Sequence, residues 1–274
     1  MVKLGRPFTS LLGALAVLTA AMVAIGLRVA FYAIPIILGM ATVFLFTMAS
    51  NALNDYFDRD IDKTNHPERP IPSGKILPRH ALNFSISMFS ISILMAFCLG
   101  AFLGSEIFAV FLTALVFQIV YEMKFKRNKF VGNIMIGFQT MLAFLFGGVI
   151  AKAVVHVILL AAAALFSVTG REVVKDIEDI TGDTDRLTLP KVVGTRKAGI
   201  IASFLVILAI SMSLLPYYPL RFFGAQYLLL VLLSDSLFIY SIPIIFQCPE
   251  KARRTLKLAM LIAMISFIVG GISQ

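Results

Sequence analysis

The sequence predicts an all-α, polytopic membrane protein with nine transmembrane helices around a central cavity. Composition, the spacing of apolar stretches and the placement of charge all point there. Of 274 residues, 59% are hydrophobic and 14% charged, and the mean hydropathy is +0.92. Soluble domains hold about 45–50% apolar and about 25% charged residues. An ordinary soluble fold, a disordered chain and a nucleic-acid module are therefore excluded. With about 20 residues needed per crossing, the apolar stretches fall at 9–27, 33–54, 80–101, 104–121, 131–150, 153–172, 197–215, 223–246 and 255–272. Residues 1–274 read as a single integral membrane domain.

The first stretch follows Lys3 and Arg6 and superficially resembles a signal peptide. It stays apolar to Leu27 without a cleavage region, and further spans follow, so it reads as a retained helix. The second ends in an acidic segment. The third and fourth are separated by a short turn bearing Glu106, and Tyr121 with a basic run closes the fourth. The fifth and sixth meet near Lys152, and the sixth ends in a second acidic segment. The last three are divided by a turn with Arg221 and by the basic stretch 251–257. There is no Trp, so any aromatic belt draws on 24 Phe and 7 Tyr. Cys98 and Cys248 lie too far apart in sequence to suggest a disulfide framework or a CxxC metal site.

Lys and Arg alternate between breaks. The N-terminus and stretches 55–79, 122–129, 171–197 and 251–257 hold 21 of the 24. The other breaks hold only Arg28, Lys152 and Arg221. The positive-inside rule then places the N-terminus in the cytoplasm and the C-terminus outside. The net charge of +9 follows from this topology and from attraction to anionic headgroups, without a nucleic acid.

The acidic residues carry the chemical signal. Asp55, Asp58 and Asp62 follow Asn54 at i, i+3 and i+7, one face of a helix; Asp60 lies off that face. Asp176, Asp179 and Asp183 repeat the spacing after the sixth span. Like charges so placed repel unless a cation lies among them. Mg²⁺ suits them, because it takes one or two carboxylates and completes its shell with water and phosphate oxygens. Arg69 in a Pro-rich loop, Lys126 near Tyr121, and Arg171 and Lys175 just before the second triad are the candidate diphosphate ligands. His66, His80 and His156 show no ligand spacing.

These residues resemble the UbiA family of intramembrane prenyltransferases. Its first motif, NDxxDxxxD, is matched by Asn54, Asp55, Asp58 and Asp62, and its second, DxxxD, by Asp179 and Asp183, with Asp176 an extra acid upstream. The segments NALNDYFDRDIDKTNHPERPIPSGKI, KRNKFVGN and REVVKDIEDITGD are most similar to the archaeal digeranylgeranylglyceryl phosphate synthase branch. At the first span many relatives carry RPxN, whereas this chain has Arg6-Pro7-Phe8-Thr9.

The resemblance implies Mg²⁺-dependent transfer of a geranylgeranyl group from its diphosphate to the free hydroxyl of geranylgeranylglyceryl phosphate, in archaeal membrane lipid synthesis. Motif and spacing together assign metal binding to the six Asp residues, and Tyr121 is either an interfacial anchor or a π face beside the allylic cation. The expected setting is a cell membrane with the site facing the cytoplasm, and the expected partners are the two lipid substrates and the bilayer; nothing implies a protein partner. The competing readings are transfer to an aromatic quinone precursor and an intramembrane cation transporter. The apparent confinement of acids to cytoplasmic helix ends counts against a transporter.

Overall fold

A computed structural model of the protein describes residues 3–125, 129–180 and 187–273. The described residues are built almost wholly of helix: α1 (Pro7–Ile25), α2 (Ala33–Asn65), α3 (Pro78–Leu103), α4 (Ser105–Val120), α5 (Lys129–Ile150), α6 (Val154–Glu178), the short α7 (Leu189–Val193), α8 (Thr195–Leu214), α9 (Ala225–Ile245) and α10 (Pro249–Ile272). Pro7, Pro78, Pro190 and Pro249 stand in first turns, where a missing N–H removes no helical bond.

Eight continuous helical runs are long and apolar enough to cross a bilayer, and the first spans 58 residues, Pro7–Thr64. That run is a hairpin. A 3₁₀ segment, Gly26–Tyr32, joins its two α-helices, and Arg6 at its start lies 2.5 Å from Asp55 near its end. Gly26 permits the turn through its positive φ of 58°, and a Cβ there would fall 2.7 Å from the Gly271 carbonyl oxygen. The C-terminal ends of α1 and α10 therefore meet at the end of the bundle opposite the Asp residues.

At 1.5 Å per residue, the 33 residues of α2 extend about 50 Å. A hydrocarbon core of about 30 Å takes some 20 of them. Counted from Ala33, the boundary falls just before Asn54. The helix continues past the expected end at residue 54 to Asn65, carrying the first Asp triad beyond the length that a crossing needs. The Asp-face expectation holds here: Asp55, Asp58 and Asp62 are buried, whereas the Asp60 side chain is 66% exposed.

The second triad needs correction. Asp176 is in α6, but the helix stops at Glu178 with Asp179 as its C-cap. Several carboxylates in a last turn oppose the negative end of the helix dipole, which disfavours continuation. Asp183 lies outside the described residues, so no single described helix carries all three.

Phe31, Phe102 and Leu229 are 88%, 87% and 72% exposed, a surface suited to lipid. Inside, α1, α5, α6, α9 and α10 pack around Val17, Phe146, Leu160, Tyr227 and Phe267. Gly147 brings α5 against α1, since a Cβ there would lie 2.5 Å from the Val17 carbonyl oxygen. A smaller cluster of Leu4, Ala52, Ile71 and Ala81 fastens the N-terminal turn and the 66–77 loop over the Asp-bearing end.

Candidate active site

Local helix geometry gathers polar side chains at one end of the bundle. Arg6 has a left-handed backbone, φ 46°, rare for a residue with a Cβ. The adjacent turn is pinned where Ser10 Oγ and Asn51 Nδ2 donate to the Gly5 carbonyl, at 2.8 and 3.1 Å. So held, Arg6 Nη2 donates to Asp55 Oδ1 at 2.5 Å. Two turns along the same face, Asp62 Oδ2 accepts from Arg69 Nη1 at 2.7 Å. The Pro-rich loop therefore folds its single Arg back onto the triad. Asp58, between them, is 6% exposed.

Asn54 Nδ2 donates to Glu122 Oε1 at 3.4 Å, and Gln118 Nε2 donates to the same oxygen at 3.2 Å. Glu122 belongs to a π-helical turn, Tyr121–Phe125, that closes α4. Across the bundle, Asp176 Oδ2 accepts from Asn133 Nδ2 of α5 at 2.7 Å. Arg171 bonds Glu172, and Lys175 Nζ lies 3.9 Å from the other Glu172 oxygen. Asp179 is half-buried at the helix end, beside the Glu178 carboxylate that Arg253 of α10 clamps at 2.6 Å. Lys126, like Asp183, lies outside the described residues.

The structure thus brings Asp55, Asp58 and Asp62 to one buried helix face and Asp176 to Asn133, and adds Arg6, Glu122, Asn133 and Glu172, which the sequence motifs do not single out. Arg6 carries a signal in the Arg-Pro pair that opens the first span, but positive-inside topology accounts for its charge equally well. Asp235 corrects another expectation. This carboxylate sits in the middle of α9, 3% exposed, not at a helix end. Ser213 Oγ lies 3.1 and 3.0 Å from its two oxygens, and Tyr227 OH donates to the Ser213 carbonyl. One intramembrane acid held by a hydroxyl does not make an ion path.

Beneath the polar rim lies a cavity of about 570 Å³, walled by α1, α2, α4, α5, α6 and α8 to α10. Its walls are mainly Phe, Leu, Ala, Val and Met, and its polar lining residues include Thr9, Gln118, Tyr121, Arg171 and Lys257. Thr9, in the Arg6-Pro7-Phe8-Thr9 start, therefore faces the space. Phe8 and Leu261 line the cavity while 69% and 38% exposed, so the space opens sideways through the bundle wall.

A profile of the UbiA prenyltransferase family matches residues 10–268. The chain belongs to that family. Among curated UbiA-family relatives, digeranylgeranylglyceryl phosphate synthase of Methanosphaera stadtmanae is 37% identical over 99% of this chain and 98% of its own. The enzyme of that name from Methanocaldococcus jannaschii is 39% identical over 84% of this chain and 82% of its own. A solved structure of digeranylgeranylglyceryl phosphate synthase superposes with a TM-score of 0.85 at 32% identity, covering 100% of this chain and 98% of that one. A UbiA homologue from Archaeoglobus fulgidus, bound to DMAPP and Mg²⁺, shares the fold at 18% identity and a TM-score of 0.70, covering 97% and 98% of the two chains. This UbiA-family chain is a membrane-embedded prenyltransferase.

Among the described residues, no group of three or more His, Cys, Asp or Glu side chains converges closely enough to hold a metal ion by itself. The donor set nevertheless fits Mg²⁺, which needs only one or two carboxylates when phosphate oxygens supply the rest. Asp55, Asp62 and Asp176 are buried hard-oxygen donors engaged by Arg6, Arg69 and Asn133.

Proposed function

We propose that the protein transfers a geranylgeranyl group from geranylgeranyl diphosphate to the free hydroxyl of geranylgeranylglyceryl phosphate. The observation that carries this reading is a mainly apolar cavity of about 570 Å³ whose lining residues Phe8, Thr9 and Ser50 lie on the same helices as the Arg6–Asp55 pair, within about a turn of Arg6 and Asn54. Such a space receives an isoprenoid tail below and a diphosphate above. The names of the relatives support the choice of acceptor. Nine crossings, with the rim towards the cytoplasm, complete the reading.

Asn54, Asp55, Asp58, Asp62, Asp176, Asp179 and Asp183 form the acidic side of the site, the Asp residues holding Mg²⁺. The metal, when bound, offsets charge accumulating on the departing diphosphate. Arg6, Arg69, Lys126, Arg171 and Lys175 bind phosphate oxygens and hold the leaving group at the rim. The allylic C–O bond breaks with its electron pair going to the diphosphate. The acceptor oxygen then bonds the allylic carbon, and its proton goes to the diphosphate. Tyr121, at the cavity wall, is placed to offer its ring to the intervening cation. The apolar walls keep water away from that cation.

The test offers purified protein Mg²⁺ and geranylgeranyl diphosphate, with geranylgeranylglyceryl phosphate and 4-hydroxybenzoate in parallel. Prenylation of the glycerolipid is the expected outcome. Prenylation of the aromatic acid alone overturns the choice of acceptor.

A further inference from the structure

Arg253 and Glu178 lock α10 to α6 through bonds of 2.6 and 3.2 Å, and the two helices run antiparallel from that clamp. The cavity face of α10 is Lys257, Met260, Leu261, Met264 and Phe267, a helical series that is apolar after its first member. The cavity face of α6 ends, at the same rim, in Arg171. Lys257 is four residues inside the clamp and Arg171 seven, so at 1.5 Å per residue their backbones differ in depth by only about 5 Å. Two cations thus line the cavity at similar depth, where the apolar wall meets the polar rim.

Neither is fully used. Lys257 has no acidic partner among the described residues, although Arg253 and Arg254 on the same helix pair with Glu178 and Glu250. Arg171 spends one Nη on Glu172, while its buried Nε has no hydrogen-bond partner among the described residues. An orphaned buried donor and an ammonium with no acidic partner among the described residues, both lining one cavity, are the chemistry of an anion site.

We propose that Lys257 binds the phosphate monoester of the acceptor lipid, and that Arg171, assigned above to the diphosphate, turns its free Nε to the same phosphate and so bridges the two anions. The inference rests on the function proposed above and adds a second anion site to it. In that acceptor only two carbons separate the attacking hydroxyl from the phosphate ester oxygen. The phosphate must therefore sit close to the departing diphosphate, and two anions that near each other need extra positive charge between them. The Asp–Arg pairs lie on α1, α2 and the 66–77 loop, whereas Lys257 reaches the cavity from α10. The acceptor is thus held from a helix that carries none of the Asp–Arg pairs. A bilayer phospholipid carries the same phosphate chemistry at the same depth, and the test separates the two sources.

The experiment measures steady-state kinetics in neutral detergent with geranylgeranylglyceryl phosphate or its dephosphorylated alcohol, with and without added anionic lipid. Equilibrium binding of the radiolabelled phosphorylated acceptor without donor is measured alongside. Lys257→Met should raise KM and Kd for the phosphorylated acceptor about tenfold or more. It should leave donor KM and the KM for the alcohol within about twofold, and Lys257→Arg should restore most of the loss. Lys251→Met, on an exposed position outside the cavity, serves as the control. An equal effect on both acceptors, an effect seen only with anionic lipid, or a shift in donor KM overturns the proposal. Failure of the wild-type protein to use the glycerolipid at all would instead overturn the function, and the binding measurement would still decide Lys257.

Discussion

Arg6 at the first turn of the bundle and Asp55, 49 residues later, form an ion pair of 2.5 Å that closes the α1–α2 hairpin at the polar rim. The Arg is held there by an uncommon left-handed backbone, φ 46°. Its side chain remains 40% exposed, so its worth as a surface ion pair is small. Its position over the cavity gives it a different use. Arg6→Ala should lower kcat/KM for the prenyl diphosphate by about tenfold or more, with little change in thermal stability. Arg6→Lys should recover only part. Unchanged kinetics in Arg6→Ala would remove the residue from the site.

The two sides of α2 should respond differently. Asp58→Ala removes a carboxylate that is 6% exposed, on the face shared with Asp55 and Asp62, and should abolish most prenyl transfer in a folded protein. Asp60, with a 66% exposed side chain held by Lys63 at 2.9 Å, should tolerate Ala with activity nearly intact. Parallel turnover assays, with size-exclusion profiles to check folding, decide the matter. Equal damage at both positions would put the reactive face elsewhere.

Metal dependence follows from the donor set. EDTA should abolish turnover, and added Mg²⁺ should restore it. Full activity in chelator would remove the metal from the reading.

Ser213 and Asp235 give a stability test away from the rim. Ser213→Ala removes the hydroxyl that Asp235 engages with both its oxygens, leaving a buried carboxylate short of a donor. A loss of about 1–3 kcal/mol is expected for such a group, read as a fall in the unfolding temperature in detergent. Adding Asp235→Leu should recover part of it, because removing both partners costs less than stranding one. A double variant weaker than Ser213→Ala would mean that Asp235 has another role.

Sidedness can be read by labelling. In a background without Cys98 and Cys248, single cysteines at Ser73, Thr195 and Lys251 should be shielded from impermeant thiol reagents in intact cells and react after permeabilisation. A cysteine at Gly104 should label from outside. Opposite sidedness for Ser73 and Thr195 would set the two acidic segments about 30 Å apart and end the shared-site mechanism.

What was legible in the sequence is what local periodicity encodes. The apolar stretches gave the helices, and the i, i+3, i+7 spacing gave the buried face of α2, with Asp60 left in the open. At the second acidic segment the spacing runs past the helix, which stops at Glu178, because the pattern says nothing about where a helix loaded with acids at its negative end will stop. The partners were not legible. Arg6–Asp55, Asn54–Glu122 and Asn133–Asp176 join residues 49, 68 and 43 positions apart, so only the packing of the bundle brings them together. Asp235 escaped notice for the opposite reason. It is a lone acid in an apolar run, with no spacing to mark it.

The overhang of α2 beyond the lipid core places the rim on a dielectric step. On one side of Asn54, attraction between opposite charges is weakened many-fold by water; on the other, apolar walls leave it almost unscreened. A bond that ionises across such a step has its direction chosen in advance. The anionic fragment is stabilised only on the wet side, and the carbon fragment stays in the dry one, held close by a pull that water cannot dilute. The cation's lifetime is then governed by how soon an acceptor oxygen reaches it, and not by how fast solvent arrives.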